Sequence, residues 1–203
     1  IHVHEPGIKE SIQLSKDNKV VNFSSNIFQA KKSNVHIICV GTPIDDSLKQ
    51  DLSAIKNVSR NISKIIKNDD LILVRSTVPI GTSRNVIIPI LEESKLKAGK
   101  DFFVAFTPER TIEGNALEEL KKLPQIVSGA SINCQDMSIK FWNSLKINTI
   151  KGENFEEAEI IKLASNSYRD LIFSFSNDLC KISSKYNIDI NELIDKANIG
   201  YER

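Results

Sequence analysis

The chain has 203 residues, 40% of them hydrophobic, and a formal net charge of +1. That is enough for one large or two modest folded domains, and acids and bases are mixed along it with no basic or acidic block that would mark a nucleic-acid or membrane surface. Its three cysteines, Cys39, Cys134 and Cys180, have no metal-ligand spacing, their odd number argues against a disulfide framework, and no apolar run reaches a membrane span, so a reducing, cytoplasmic setting is expected.

Strand-like and helix-like segments alternate. Val20 to Phe23 reads as a strand, Asn26 to Lys31 as a short helix, Val35 to Val40 as a strand and Leu52 to Lys67 as a helix. Leu71 to Arg75 is the next strand, followed by a helix from Thr82 to Glu93 and a strand from Phe102 to Phe106. A short helix at Ala116 to Lys121, a strand at Ile126 to Ser128, a helix from Cys134 to Leu145 and a short strand at Thr149 to Ile150 complete this part. Such alternation predicts an α/β fold, a mostly parallel sheet with helices on both faces joined by right-handed crossovers.

From about Phe155 to Tyr186 neither proline nor glycine interrupts a helical pattern. Its roughly 30 residues would span on the order of 45 Å, a spine between domains. Ala164, Tyr168, Leu171, Ile172, Phe175, Leu179 and Ile182 fall on one apolar stripe, while Lys162, Asn166, Arg169 and Phe173 share a separate arc. A short helix at Asn191 to Asn198 follows.

Three strands end in a threonine near a proline: Thr42-Pro43, Thr77-Val78-Pro79 and Thr107-Pro108. Proline cannot donate to a sheet ladder, so each threonine is expected just past a strand's carboxyl end. In an open parallel sheet those ends line the ligand crevice. The segment Thr107 to Gly114 adds Glu109 and Glu113, which would face one side if the segment were a first helical turn; helix capping by surface acids is the plainer reading. Lys162 and Asn166 are an i,i+4 pair able to stabilise an oxyanion, or simply part of a solvated face. Ser76 to Thr82 can turn backbone donors toward a phosphate or ribose, although turn chemistry alone explains Pro79 and Gly81. His36 reads as a structural residue within a strand. His2 and His4 could share a metal by strand alternation, but no third ligand is evident and no metal is expected. Cys180 lies 18 residues beyond Lys162 on one helix, about 27 Å away, and cannot share that lysine's site within a subunit.

VGTPID (Val40 to Asp45), RSTVPIGT (Arg75 to Thr82), TPERTIEGNALEEL (Thr107 to Leu120) and EIIKLASNSYRDLIFSFSNDL (Glu159 to Leu179) together resemble the UDP-glucose/GDP-mannose dehydrogenase family, the nucleotide-sugar 6-dehydrogenases. Arg110 and the run Tyr168-Arg169-Asp170 resemble members acting on UDP-N-acetylhexosamines more than those acting on UDP-glucose. The resemblance implies a partial Rossmann-like sheet over residues 1–152, lacking its first β-α-β unit, and the start of an all-helical central dimerisation domain over residues 153–203. A C-terminal UDP-binding domain would follow Arg203. It implies NAD as cofactor, a UDP-sugar as substrate and a homodimer through the spine helix. The reaction implied is oxidation of the sugar C6 alcohol to a carboxylate in two hydride transfers through a cysteine thioester.

By the same resemblance Thr77, Glu109, Lys162 and Asn166 are catalytic. Lys162 and Asn166 would stabilise the C6 oxyanion, and Glu109 with Thr77 would position water for thioester hydrolysis. Thr42, Thr77 and Glu113 would contact the cofactor, and Glu109, Arg110, Lys162, Asn166 and Arg169 the substrate. The fingerprint G-x-G-x-x-G is absent from the 203 residues, so this polypeptide alone is expected to bind NAD weakly and to be inactive. Two rivals remain: a β-hydroxyacid dehydrogenase-like single oxidation, which needs no counterpart of Glu109, and a noncatalytic fragment that only binds or dimerises.

Overall fold

A computed structural model describes residues 5–47 and 49–201; His2 and His4 lie outside the described residues. The chain divides into two compact units, the first ending at Lys162 and the second beginning at Leu163.

The first unit is built on a five-stranded sheet in the order β1-β2-β3-β4-β5, with β1 at Val35–Ile38, β2 at Leu71–Val74, β3 at Phe103–Phe106, β4 at Gln125–Gly129 and β5 at Thr149–Lys151. β1, β2 and β3 are parallel, as are β4 and β5. β4 runs antiparallel to β3, with Phe106 opposite Ser128. That reversal places Gln125, the first residue of β4, beyond the carboxyl end of β3. The chain leaving β3 therefore enters β4 without crossing the sheet, and its connection needs only the seven-residue helix α4, Ala116–Lys122, where a parallel return would have to run back along the strands.

The sheet is covered on both faces, which is why its central strands read as continuous apolar runs. Side chains alternate across a strand. Ile72, Val74, Val104 and Phe106 accordingly join one core with Ile55 and Ile62 of α2 (Ser53–Ser63), Leu91 of α3 (Ile88–Leu91) and Phe155. Leu71, Leu73 and Ala105 face the other way, against Trp142 of α5 (Ile132–Ser144).

Three local expectations differ from the structure. Val20 to Phe23 form no strand; they are exposed and join no ladder, the Val20 amide turning back to the Ser15 carbonyl at 3.0 Å, and a lone extended segment has no partner strand to stabilise it. A helix at Ile8–Asp17, α1, precedes them. The expected helix from Thr82 to Glu93 is a π turn at Ser83–Ile87, the short α3, and a 3-10 turn at Glu92–Ser94. Pro89 lacks an N–H and its ring crowds the preceding turn, and a wider π turn before it relieves both problems.

The long helix α6 spans Phe155–Lys185. Asn154 opens it by accepting Glu157 N at 2.8 Å, one of the orphan amides of a first turn. In the second unit α6 continues, and α7 follows at Ile190–Asn198, capped by Asp189, whose carboxylate accepts Asn191 N and Glu192 N. The apolar stripe of α6 is open here: Tyr168, Leu171 and Phe175 are each about two-thirds exposed, at 67%, 65% and 66%.

Candidate active site at the strand ends

The carboxyl ends of β1, β2 and β3 are stitched together by side chains. Thr42 Oγ1 donates to the Thr77 carbonyl at 2.5 Å. Gln50 Nε2 reaches the same carbonyl at 2.9 Å and the Thr42 hydroxyl at 2.8 Å. Ser76 Oγ donates to the Val40 carbonyl at 2.7 Å. These bonds satisfy backbone acceptors that leave the ladder where the prolines prevent its continuation.

Just past β2, Arg75 is buried at 6% exposure. Its Nη1 donates to Thr107 Oγ1 at 3.1 Å and to Gln125 Oε1 at 2.8 Å, and its Nη2 donates to Glu109 Oε2. The guanidinium carbon lies 4.9 Å from the centre of the Trp142 ring, within the range of a cation–π contact. Antiparallel entry into β4 is what brings Gln125 to this edge of the sheet.

Glu109 is half-buried, and its Oε1 accepts Arg110 N and Thr111 N, each at 2.8 Å. Burial pushes its carboxyl up, but the hydrogen bond and charge of Arg75, with the Thr111 bonds, outweigh that and hold it below the ordinary glutamate value. Cys39, exposed just beyond β1, feels the same charges. Desolvation pushes its thiol up, Arg75 pulls it down and Glu109 pushes it up, leaving it above its usual value and protonated at neutral pH.

Glu113 is not on a helical turn with Glu109. Residues 107–112 are irregular, Gly114 has φ of +90°, and α4 starts only at Ala116. Glu109 is held inward by Arg75 while Glu113 is exposed, because Pro108 delays helix formation and the Ile112 amide is taken instead by Glu119, at 2.7 Å. Arg110 is half-buried.

On α6, Glu159 is completely buried, and its carboxylate accepts Gly81 N and Ser83 N. This fixes the first turns of α6 to the turn that follows Thr77. Lys162, half-buried, is one turn further along α6 on the same side as Glu159. Asn166 follows four residues later in the second unit, half-buried, and Arg169 is exposed with Asp170 3.7 Å away.

Hydroxyls, amides and carbonyls around Thr42 and Thr77 form a neutral donor and acceptor set suited to a ribose or carboxamide. Nothing stands within 4 Å of where a Cβ on Gly41 would lie, so the backbone beside Thr42 is open to close approach. These groups fit one edge of a dinucleotide.

A mostly parallel sheet with polar groups gathered at its carboxyl edge defines a nucleotide-binding α/β domain of the dehydrogenase type. Residues 1–164 match the NAD binding domain of the UDP-glucose/GDP-mannose dehydrogenase family, and residues 156–201 match that family's central domain. The chain belongs to this family of NAD-dependent oxidoreductases. It is 30% identical over 201 residues to a UDP-N-acetyl-D-mannosamine dehydrogenase of Pyrococcus horikoshii, covering 97% of this chain and 47% of that protein. A UDP-N-acetyl-D-glucosamine 6-dehydrogenase of Pseudomonas aeruginosa is 28% identical over 197 residues, covering 94% of this chain and 47% of that protein.

Among solved structures, the UDP-D-ManNAc dehydrogenase of Pyrococcus horikoshii superposes with a TM-score of 0.90 at 28% identity, over 100% of this chain and 48% of that one. A ternary complex of GDP-mannose dehydrogenase from Pseudomonas aeruginosa superposes with a TM-score of 0.86 at 30% identity, over 96% and 46% respectively. The chain spans about half the length of the relatives it matches.

Four residues that shape this edge were not singled out from the sequence. Arg75, Gln50 and Gln125 stood unremarked within or beside the motifs. Glu159 carries no local signal, because its partners lie 76 and 78 residues away.

Proposed function

We propose that this chain supplies the cofactor-side half of a cytoplasmic enzyme that oxidises the C6 alcohol of a UDP-sugar to a carboxylate in two hydride transfers. Residues 1–152 serve the dinucleotide, and residues 153–203 begin the helical domain through which two subunits associate. The observation that carries the reading is the junction of Thr42 to Thr77, with Arg75 and Glu109 beside it, at the carboxyl edge of the sheet. The names of the relatives, which include dehydrogenases of UDP-N-acetyl-D-mannosamine and UDP-N-acetyl-D-glucosamine, favour a UDP-N-acetylhexosamine. Arg110 and Arg169 are assigned to its recognition.

NAD bound at this edge supplies the hydride acceptor. Thr42 and Thr77 contact it, and Glu113 is assigned to its nicotinamide side. Lys162 and Asn166 stabilise the negative charge that develops on the C6 oxygen, a role in which a fixed cation counts most where water is excluded. In the second half, a C6 thioester on a cysteine sulfur is hydrolysed: water oxygen bonds to C6, the C6–S bond breaks with its electron pair going to sulfur, and a proton of the water passes by way of Glu109 to the departing thiolate. Thr77 helps hold that water. Cys39, whose thiol is held above its usual value, is not assigned as the nucleophile.

The test is Lys162→Ala in the full-length enzyme. It is expected to lower kcat by about a hundredfold or more while thermal unfolding is unchanged; near-normal turnover would remove Lys162 from the mechanism.

A further inference from the structure

Arg75 has an unusually complete set of constraints for a residue that the proposed chemistry does not itself use. Its partners come from four places: Thr107 just past β3, Gln125 opening β4, Trp142 on α5, and Glu109 in the loop after β3. A guanidinium presents its donors in a rigid planar fork. With Nη1 held by Thr107 and Gln125 and one face on Trp142, the direction of Nη2 is set before Glu109 is considered.

The carboxylate is constrained in turn. A carboxylate oxygen offers about two acceptor sites. Arg110 N and Thr111 N fill those of Oε1, and Arg75 takes one at Oε2. The Thr111 side chain bonds the same carboxylate as well, and Oε2 is the oxygen that faces the cation.

We propose that Arg75 is the positioning residue for Glu109: by fixing the carboxylate's orientation and charge from a buried anchor, it makes Oε2 the oxygen that holds the hydrolytic water. This deepens the reading of Glu109 given above and rests on it. It accounts for a feature that burial alone does not explain. A desolvated glutamate would be driven toward its neutral form and would offer a hydroxyl in place of an acceptor. Arg75 reverses that, so Glu109 remains an acceptor at pH values where an unassisted buried glutamate would have taken up a proton. Lysine at position 75 would keep the charge and lose the fork.

The experiment uses the 203-residue chain carrying Cys180→Ser, with Glu109 titrated by carboxyl ¹³C NMR and Cys39 titrated by its rate of alkylation. In the parent chain the Glu109 midpoint is expected below the ordinary glutamate value. In Arg75→Met it should rise, and in Arg75→Lys it should stay near the parent midpoint. Cys39 serves as a second reporter: its midpoint should rise in Arg75→Met and fall in Glu109→Gln, opposite signs that a purely structural disturbance would not produce. Should Arg75→Met not fold, the parent midpoint, Arg75→Lys and the Cys39 response to Glu109→Gln still decide the matter. A Glu109 midpoint at or above the ordinary value in the parent chain, or one unmoved in folded Arg75→Met, overturns the role of Arg75. Unimpaired thioester hydrolysis by full-length Glu109→Gln overturns the reading of Glu109 beneath it, whatever the titrations give.

Discussion

The buried carboxylate of Glu159, on the first turns of α6, accepts the amides of Gly81 and Ser83 in the turn after β2. It caps the irregular helix that begins there and fastens α6 to the segment carrying Thr77. Lys162 stands three residues further along the same helix, so one side chain ties two proposed catalytic elements to each other. Glu159→Ala would leave both amides without their charged acceptor. Given the usual strength of bonds to ionised groups, it should destabilise the chain by about 3 kcal/mol, with Glu159→Gln costing less. Urea denaturation measures this, and a loss within error of zero would contradict the capping role.

The open apolar stripe on α6 leads to a second expectation. Tyr168, Leu171, Ile172 and Phe175 are exposed together, and contiguous apolar surface of this kind marks an association face. Light scattering should find a dimer, and Leu171→Glu with Phe175→Glu should give a monomer with unchanged helix content. A parent chain that is monomeric at all concentrations up to about 100 μM, weaker than a dissociation free energy of roughly 5 kcal/mol, would contradict association through this face.

Acid should weaken the fold in a defined direction. The hydrogen bond from Arg84 holds Glu156 below its ordinary value, and Glu109, raised by burial, is brought below it by Arg75. A carboxyl whose folded value is depressed contributes stability that is present above its unfolded value and is lost as pH falls through the folded one. The urea midpoint should therefore fall between about pH 5 and pH 3. Arg84→Met should shrink the part owed to Glu156. An unchanged pH dependence in that variant would show the pair to be energetically idle, as exposed pairs often are.

The alternation of strands and helices was legible because burial on both sheet faces writes itself as runs such as Leu71-Ile72-Leu73-Val74. Threonines followed by prolines were legible for a related reason, since loss of a backbone donor is a property of the residue itself. Arg75 was not. Sitting at the end of an apolar run, it reads as a strand residue, and its meaning depends on Gln125 and Trp142, which the reversal of β4 and the packing of α5 bring to it. The helix expected from Thr82 departs from α geometry in the turn before Pro89, a visible perturbing residue. The strand expected at Val20 failed because propensity cannot supply a neighbour to pair with. Ile8 and Ile12, one turn apart, were the available sign of α1.

The neutral edge formed by Thr42, Thr77 and Gln50 should contact a dinucleotide without gripping its phosphates, since the 203 residues contain no G-x-G-x-x-G. Calorimetric titration of this chain with NAD should give a dissociation constant weaker than about 1 mM, roughly 4 kcal/mol of binding. Micromolar binding would show that the edge suffices by itself.

The role of Glu109 is tested most directly by mass spectrometry of full-length Glu109→Gln during turnover with NAD and a UDP-N-acetylhexosamine. The first oxidations should proceed, a covalent sugar adduct should accumulate on a cysteine, and steady-state release of the acid should slow by at least about a hundredfold. Steady turnover at the parent rate with no adduct would contradict that role.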